Sequence, residues 1–345
     1  MKKKSINLAL QGGGAHGAFT WGVLDRLLEQ DDLEIASISG TSAGALNGAA
    51  VKAGLVRGDR KAAKENLAWL WKQIGAVEAS LLKPWMFGGV SDPGAVSKML
   101  EYSPFFAAAD AASRLVSPYA YGALYKNPLR RIVERFHYDA VCGDAGPRFF
   151  VTATNVRTGK IRVFEGADIH ADVILASGCL PTLFQAPEFR DPKTGNVEAF
   201  WDGGYTGNPA LFPMFARDLP DDIVVVNINP LERLDLPTTP QEIQNRINEI
   251  SFNSSLFREL RAIQFVKDLI AEGALAKGVK KDVLVHMIAD DALMRELSVA
   301  TKMVPVPQVL TALHKAGRRA AAGFLDDHWD KLGKQGSVDL REMFG

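Results

Sequence analysis

The sequence predicts an α/β fold: a mostly parallel central sheet with helices on both faces, followed by a helical C-terminal extension. Three observations predict it. Residues 5–52 run strand, loop, helix, strand, turn, helix, the alternation of a parallel sheet with crossover helices. Residues 223–228, IVVVNI, form an apolar run of strand length, as a strand buried on both faces requires. After Pro240 the spacing turns helical over QEIQNRINEISFNSSLFRELRAIQFVKDLI.

The elements follow in chain order. Ser5–Leu10 alternates and then turns apolar, as a short buried strand does. Gly12–Gly14 break it. Phe19, Val23, Leu24, Leu27 and Leu28 recur at helical spacing up to Asp31-Asp32. Glu34–Ser39 is a second short strand, with Ile35 and Ile38 facing the core. Gly40 ends it, and Ala43–Lys52 is a helix of small residues. Residues 62–74 read as helix. From Leu81 to Tyr125 the texture is aromatic and small, with scattered prolines: WMFGG, SPFFAAADAA, SPYAYGALY. Asn127-Pro128 opens a helix at LRRIVERF. Arg148–Ala153 and Lys160–Phe164 are strands joined by the hairpin turn TNVRTGK. Asp172–Ser177 begins a helix that breaks near Gly178 and Pro181. Ala199–Trp201 is a strand before a glycine turn, and Asp282–Ile288 is one more strand. The last fifty residues read as helix and end in a polar tail. The Pro-Thr-Thr-Pro stretch at 237–240 marks the expected boundary between a core, 1–236, and a mainly helical extension, 237–345.

Composition narrows the partners. With 47% hydrophobic residues in 345, the chain can bury a large core. Its formal net charge of zero argues against nucleic acid, whose recognition needs a basic surface. Two cysteines, Cys142 and Cys179, predict no disulfide framework. MKKKSINLALQGGG starts like a secretory leader, but its apolar run is too short. No run of about 18 apolar residues predicts a membrane span. The expectation is a soluble cytoplasmic protein.

LALQGGGAHGAF contains G-x-G-x-x-G as Gly12, Gly14 and Gly17, after a strand and before a helix. A dinucleotide fingerprint of this kind also needs an acid at the end of the second strand. Here that strand ends in Ser39-Gly40, and Asp31, Asp32 and Glu34 come too early. The other use of such a loop is electrostatic. Glycines let successive N–H groups converge on negative charge, as in an oxyanion hole.

SGTSAG at 39–44 places Ser42 between Gly40 and Gly44, after a short strand and before a helix. That is the context of a nucleophile elbow, G-x-S-x-G. Both flanks must be small, and the helix N-terminus favours developing negative charge. A triad would need a histidine. His137, His170, His286, His314 and His328 lie beside no loop signal at a strand end. His286 reads as mid-strand, His314 and His328 as surface-helix residues, so the base need not be a histidine. In AFWDGGYTGNPA, Asp202 follows an apolar strand and precedes Gly203-Gly204, where a carboxylate can approach another backbone closely. An aspartate becomes a useful base when held against the serine in a water-poor site.

GGGAHG, GTSAG and DGG, in this order, resemble the patatin-like phospholipases over roughly residues 5–230. LYKNPLRRIVERF, FVTATNVRTGK and ADVILASGCLPTLFQAPEF add to the likeness. The resemblance implies a patatin-like three-layer sandwich and a Ser–Asp dyad without histidine. Ser42 would be the nucleophile and Asp202 its base. The N–H groups of Gly12, Gly13 and Gly14 would form the oxyanion hole, with Gly40 and Gly44 at the elbow and Gly203 and Gly204 supporting the dyad. It implies a hydrolase of lipid carboxylic esters, of phospholipase A or lysophospholipase type, needing no cofactor and no metal. The family's glycine motif usually carries Lys or Arg where this chain has His16, which leaves His16 either to donate at the oxyanion site or to pack. A non-catalytic lipid- or partner-binding protein is the alternative.

The aromatic segment 81–125, with Trp85, Met86, Phe87, Phe105, Phe106, Tyr119, Tyr121 and Tyr125, reads either as core packing or as a lid or acyl-binding wall. Lys2–Lys4 and Arg318-Arg319 are weak candidates for anionic headgroups. Peripheral contact with a membrane or lipid granule is expected, and the C-terminal helices leave room for a homo-oligomer.

Overall fold

The computed structural model describes residues 3–79, 90, 92–276 and 278–344. Among the described residues eight strands form the sheet: β1 Lys4–Leu10, β2 Leu33–Gly40, β3 Arg148–Asn155, β4 Ile161–Glu165, β5 Glu188–Arg190, β6 Val197–Asp202, β7 Asp222–Val226 and β8 Leu284–Ile288. Their order is β5-β6-β3-β2-β1-β7-β8, with β4 also on β3. From β3 to β8 every pair is parallel. At the other end β4 and β6 run antiparallel to β3, and β5 antiparallel to β6. The sheet is therefore mixed. Short connections force this, since a hairpin such as TNVRTGK can only join antiparallel strands.

Side-chain alternation sends each central strand into two cores. Ile6, Leu8 and Leu10 of β1 and Val224 and Val226 of β7 enter one; Ala9, Ile223 and Val225 enter the other. The first core is closed by α1 (Gly17–Leu27), α2 (Ala43–Arg57), α3 (Arg60–Ala79) and the helix Pro307–His328. The second is closed by the long helix Pro240–Ala271 through Leu256, Leu260 and Ile263. Three layers result. Each fully buried leucine, such as Leu8, contributes about 1.5–3 kcal/mol relative to exposure.

Residues beyond 237 contribute to the same sheet and the same core. β8 pairs parallel with β7. The helix Pro307–His328 crosses α1 so closely that a Cβ on Gly22 would fall 2.0 Å from the His314 carbonyl oxygen. One on Gly317 would fall 2.0 Å from that of Phe19. His314 and His328 are thus not on a freely exposed helix. Leu313, Ala316, Ala321 and Phe324 bury its inner face, and the His314 ring lies 3.9 Å from that of Trp21.

The proline-scattered texture after residue 90 is helix-starting punctuation. Pro93 and Pro104 occupy first turns, where a missing N–H costs nothing. Asp92 and Ser103 cap them by accepting from the N–H groups of Ala95 and Phe106. Tyr119 and Tyr121 are exposed rather than packed in the core. Trp85, Met86 and Phe87 lie outside the described residues.

Candidate active site

The glycine loop and the serine turn leave β1 and β2 at the C-terminal edge of the parallel strands, the usual place for ligands in such sheets. Ser42 has φ 53° and ψ −119°, the only non-glycine with positive φ among the described residues. Holding that conformation costs about 1–3 kcal/mol, and neighbours must impose it. A Cβ on Gly44 would lie 2.1 Å from the Leu10 carbonyl oxygen. The Ser42 N–H donates to Ser177 Oγ at 2.8 Å, and Thr41 Oγ1 donates to the Gly207 carbonyl at 2.7 Å. α2 begins at Ala43, so its N-terminal dipole is directed at the serine.

β6 approaches the same edge antiparallel and ends in Asp202, which is 1% exposed. Its Oδ1 accepts from the Gly204 N–H at 2.7 Å. Burial pushes its carboxyl up to about 7, against the lowering effect of the Gly204 N–H and of the neighbouring Ser42 hydroxyl. A carboxylate with that affinity can accept a proton near neutrality. The same burial, with Asp202 beside them, raises Cys179 and Tyr205 to about 12 each.

The glycine loop differs from expectation at Gly12. Its N–H already donates to Asn208 Oδ1 at 2.6 Å, so it is not available to an oxyanion. Gly13 and Gly14 line the cavity instead, and their N–H groups have no protein acceptor among the described hydrogen bonds. Gly14 has φ +57°, and a Cβ there would meet the Lys302 carbonyl oxygen at 2.3 Å. Gln11 Oε1 accepts from the N–H of Ile228 and of Asn229, tying the loop to the end of β7.

His16 packs and does not reach the site. It is 1% exposed, with Nε2 against Thr301 Oγ1 at 2.9 Å. Burial first, and the Lys302 cation second, hold its pKa well below the usual value, so it is neutral. Gly40 and Gly203 are buried where a Cβ would strike the carbonyl oxygens of Gly44 at 2.6 Å and Thr152 at 2.3 Å.

Ser42 and Asp202 open on a cavity of about 430 Å³. Leu46, Trp71, Ile74, Leu129, Ile174 and Leu175 give it an apolar wall; Asn229, Gln244, Asn248 and Lys302 give a polar one. No histidine lines it. Among the described residues no group of three His, Cys, Asp or Glu could hold a metal ion. None of the helices described is long and apolar enough to cross a membrane.

Sequence reasoning missed Ser177, Asn208, Asn229 and Lys302. Asn208 follows DGGYTG directly and was legible as part of that turn. Ser177 precedes the helix break at Gly178. Lys302 carries no local signal.

No curated protein matches the chain. Similar solved structures include VipD from Legionella pneumophila, at 15% identity and TM-score 0.42, covering 95% of this chain and 67% of that one. The type III effector protein ExoU is similar at 15% identity and TM-score 0.36, covering 94% and 53%; the chain spans about half its length. The ExoU–SpcU complex from Pseudomonas aeruginosa gives 18% identity and TM-score 0.29, covering 99% and 71%. The patatin-like phospholipase family model matches residues 8–214, from β1 through the elbow and Asp202. The chain belongs to the patatin-like phospholipase family.

Proposed function

We propose that the protein is a serine acyl hydrolase of lipid carboxylic esters, of phospholipase A or lysophospholipase type, working through a Ser42–Asp202 dyad. One observation carries the reading: a serine on a strained elbow lies beside a buried aspartate of raised pKa, both facing a largely apolar cavity. Ser42 Oγ attacks the ester carbonyl carbon as its proton passes to Asp202. The carbonyl oxygen becomes an oxyanion facing the N–H groups of Gly13 and Gly14. Collapse expels the alcohol or lysolipid, which takes the proton. Water then attacks the acyl-enzyme, with Asp202 again the base.

The substrate class follows from the walls. The apolar side suits an acyl chain and lies within the size range of small-ligand sites. Asp110, Ser113, Gln244 and Asn248 reach the cavity from two helices whose outer surfaces expose Leu115, Ile243 and Ile247. Such exposed apolar side chains beside a lipid-binding cavity favour peripheral contact with a lipid surface. Arg318 takes no part in that contact, being ion-paired with Asp25 and Glu29.

The alternative, a non-catalytic lipid binder, draws on the neutral His16 in the glycine loop. Fluorophosphonate labelling separates the two. Wild type is expected to label, and Ser42→Ala and Asp202→Asn to stay dark. A folded wild type that stays dark even in detergent favours the binder. Equal labelling of Asp202→Asn would show that another group activates the serine.

A further inference from the structure

Lys302 sits in the short helix Val299–Met303 and lines the same cavity as Ser42 and Asp202. Two contacts fix it beside the glycine loop. Its backbone carbonyl is so close to Gly14 that no Cβ fits between them. Its Nζ donates to Asn229 Oδ1 at 2.8 Å, and Asn229 Nδ2 donates to the Gly12 carbonyl at 2.9 Å. One side chain thus bridges the ammonium and the loop that bears the Gly13 and Gly14 donors.

Among the described residues the ammonium has no matching anion. Its partner is a neutral amide, and no carboxylate among the described residues lies within ion-pair distance of it. Glu249, from the long helix Pro240–Ala271, is held by Arg233 at 2.7 Å and Arg246 at 3.3 Å. An ammonium offers three donors, and keeping one part-buried without a counter-charge is costly. A negative charge arising in the cavity would relieve that cost. His16 beside it is neutral, so the glycine loop itself contributes no full charge.

We propose that Lys302 supplies the positive charge of the oxyanion site, completing from the C-terminal segment what the Gly13 and Gly14 N–H groups begin. The proposal rests on the hydrolase reading above. As the Ser42 Oγ–carbon bond forms, the carbonyl π pair moves onto oxygen, and the Lys302 ammonium lowers the energy of that anion. Collapse returns the pair and breaks the ester C–O bond; the alcohol leaves with the Asp202 proton. Lys302 forms no covalent bond and keeps its protons.

Its charge depends on its surroundings. His16 comes from the turn after the glycine loop, Glu249 from the long helix and Arg233 from the segment after β7. Lys98 and Glu101 come from the packed helix Pro93–Glu101, and Asp110, Asp202 and Tyr205 from the cavity walls. Burial, the largest influence, brings Lys302 down to about 8. The cation is therefore present at neutral pH and lost as pH rises through that value.

The test uses the full chain, a neutral soluble ester such as p-nitrophenyl butyrate, and fluorophosphonate labelling rates. Lys302→Met and Lys302→Gln should lower kcat about 10- to 100-fold with little change in KM. Lys302→Arg should keep most of the activity, and should lose the fall in kcat that wild type shows as pH rises through about 8. Folded Met and Gln variants with wild-type kcat and labelling overturn the proposal. So does a change confined to KM, which would make Lys302 a binding contact. If those variants do not fold, the alkaline limbs of wild type and Lys302→Arg decide; identical limbs overturn it. A folded wild type that neither labels nor hydrolyses defeats the hydrolase reading itself, and the role of Lys302 with it.

Discussion

At the C-terminal edge of the parallel strands, Ser42 meets Asp202. Toward the opposite edge, Ser337, His286 and Asp222 are joined in series. His286 Nδ1 lies 3.1 Å from Ser337 Oγ, and its Nε2 lies 2.9 Å from Asp222 Oδ1. By hydrogen-bond order alone, the second cluster is nearer to a serine-hydrolase triad than the first. Its surroundings say otherwise. His286 is fully buried, edge-on to Phe324. Ser337 has no positive φ, and its N–H bonds the Val285 carbonyl at 3.0 Å. Asp222 also accepts from the Gly333 N–H. This cluster ties the 333–337 segment to β7 and β8. A nucleophile needs an imposed conformation, waiting N–H donors and a cavity; of these two serines, Ser42 has all three.

The sharpest break in the comparison is kinetic. Ser42→Ala and Asp202→Asn should each lower ester hydrolysis roughly a thousandfold or more, while Ser337→Ala leaves it within about twofold. Steady-state assays on the purified proteins measure this, and a loss in Ser337→Ala would reverse the assignment.

Stability should then separate the two acids. The folded pKa of Asp202, about 7, lies above its ordinary 3.8. The folded state therefore binds more protons than the unfolded state between those values, and stability falls as pH rises through this window. Asp202→Asn removes that penalty, so it should stabilise the fold by up to about 4 kcal/mol above pH 7, and by almost nothing near pH 4. Denaturant melts at both pH values test this. Removing the His286 ring has the opposite sign. His286→Leu strands Asp222 and should cost about 1–3 kcal/mol, with activity per folded molecule unchanged. The smallest effect belongs to Ser337→Ala, a loss of about 0.5–1 kcal/mol in the same melts.

What was legible in the sequence was local. The elbow needs small neighbours at fixed offsets, and Gly40 and Gly44 display them within five residues. The β3–β4 hairpin is visible in its turn. The direction of β6 is not, because Ala199–Trp201 shows that a strand exists but not which neighbour it meets. The loss of Gly12 as a donor depends on Asn208, which the fold brings across from the far side of the DGG turn. Whether His16 packs or donates depends on Thr301 and Lys302 beside it. Apolar periodicity assigned most of residues 240–345 to helices, with one strand at 282–288, but could not say that one helix crosses α1 at two glycines.

That crossing bears on timing during synthesis. Gly22 and Gly317 let the helix Pro307–His328 seat against α1, the helix that carries the glycine loop at its start. A ribosome delivers Ser42, the loop and Asp202 well before Lys302 and this clamp. On the hydrolase reading proposed above, a nascent chain would thus hold a recognisable elbow before the Lys302 charge arrived. Its full rate would wait until the late helices had docked.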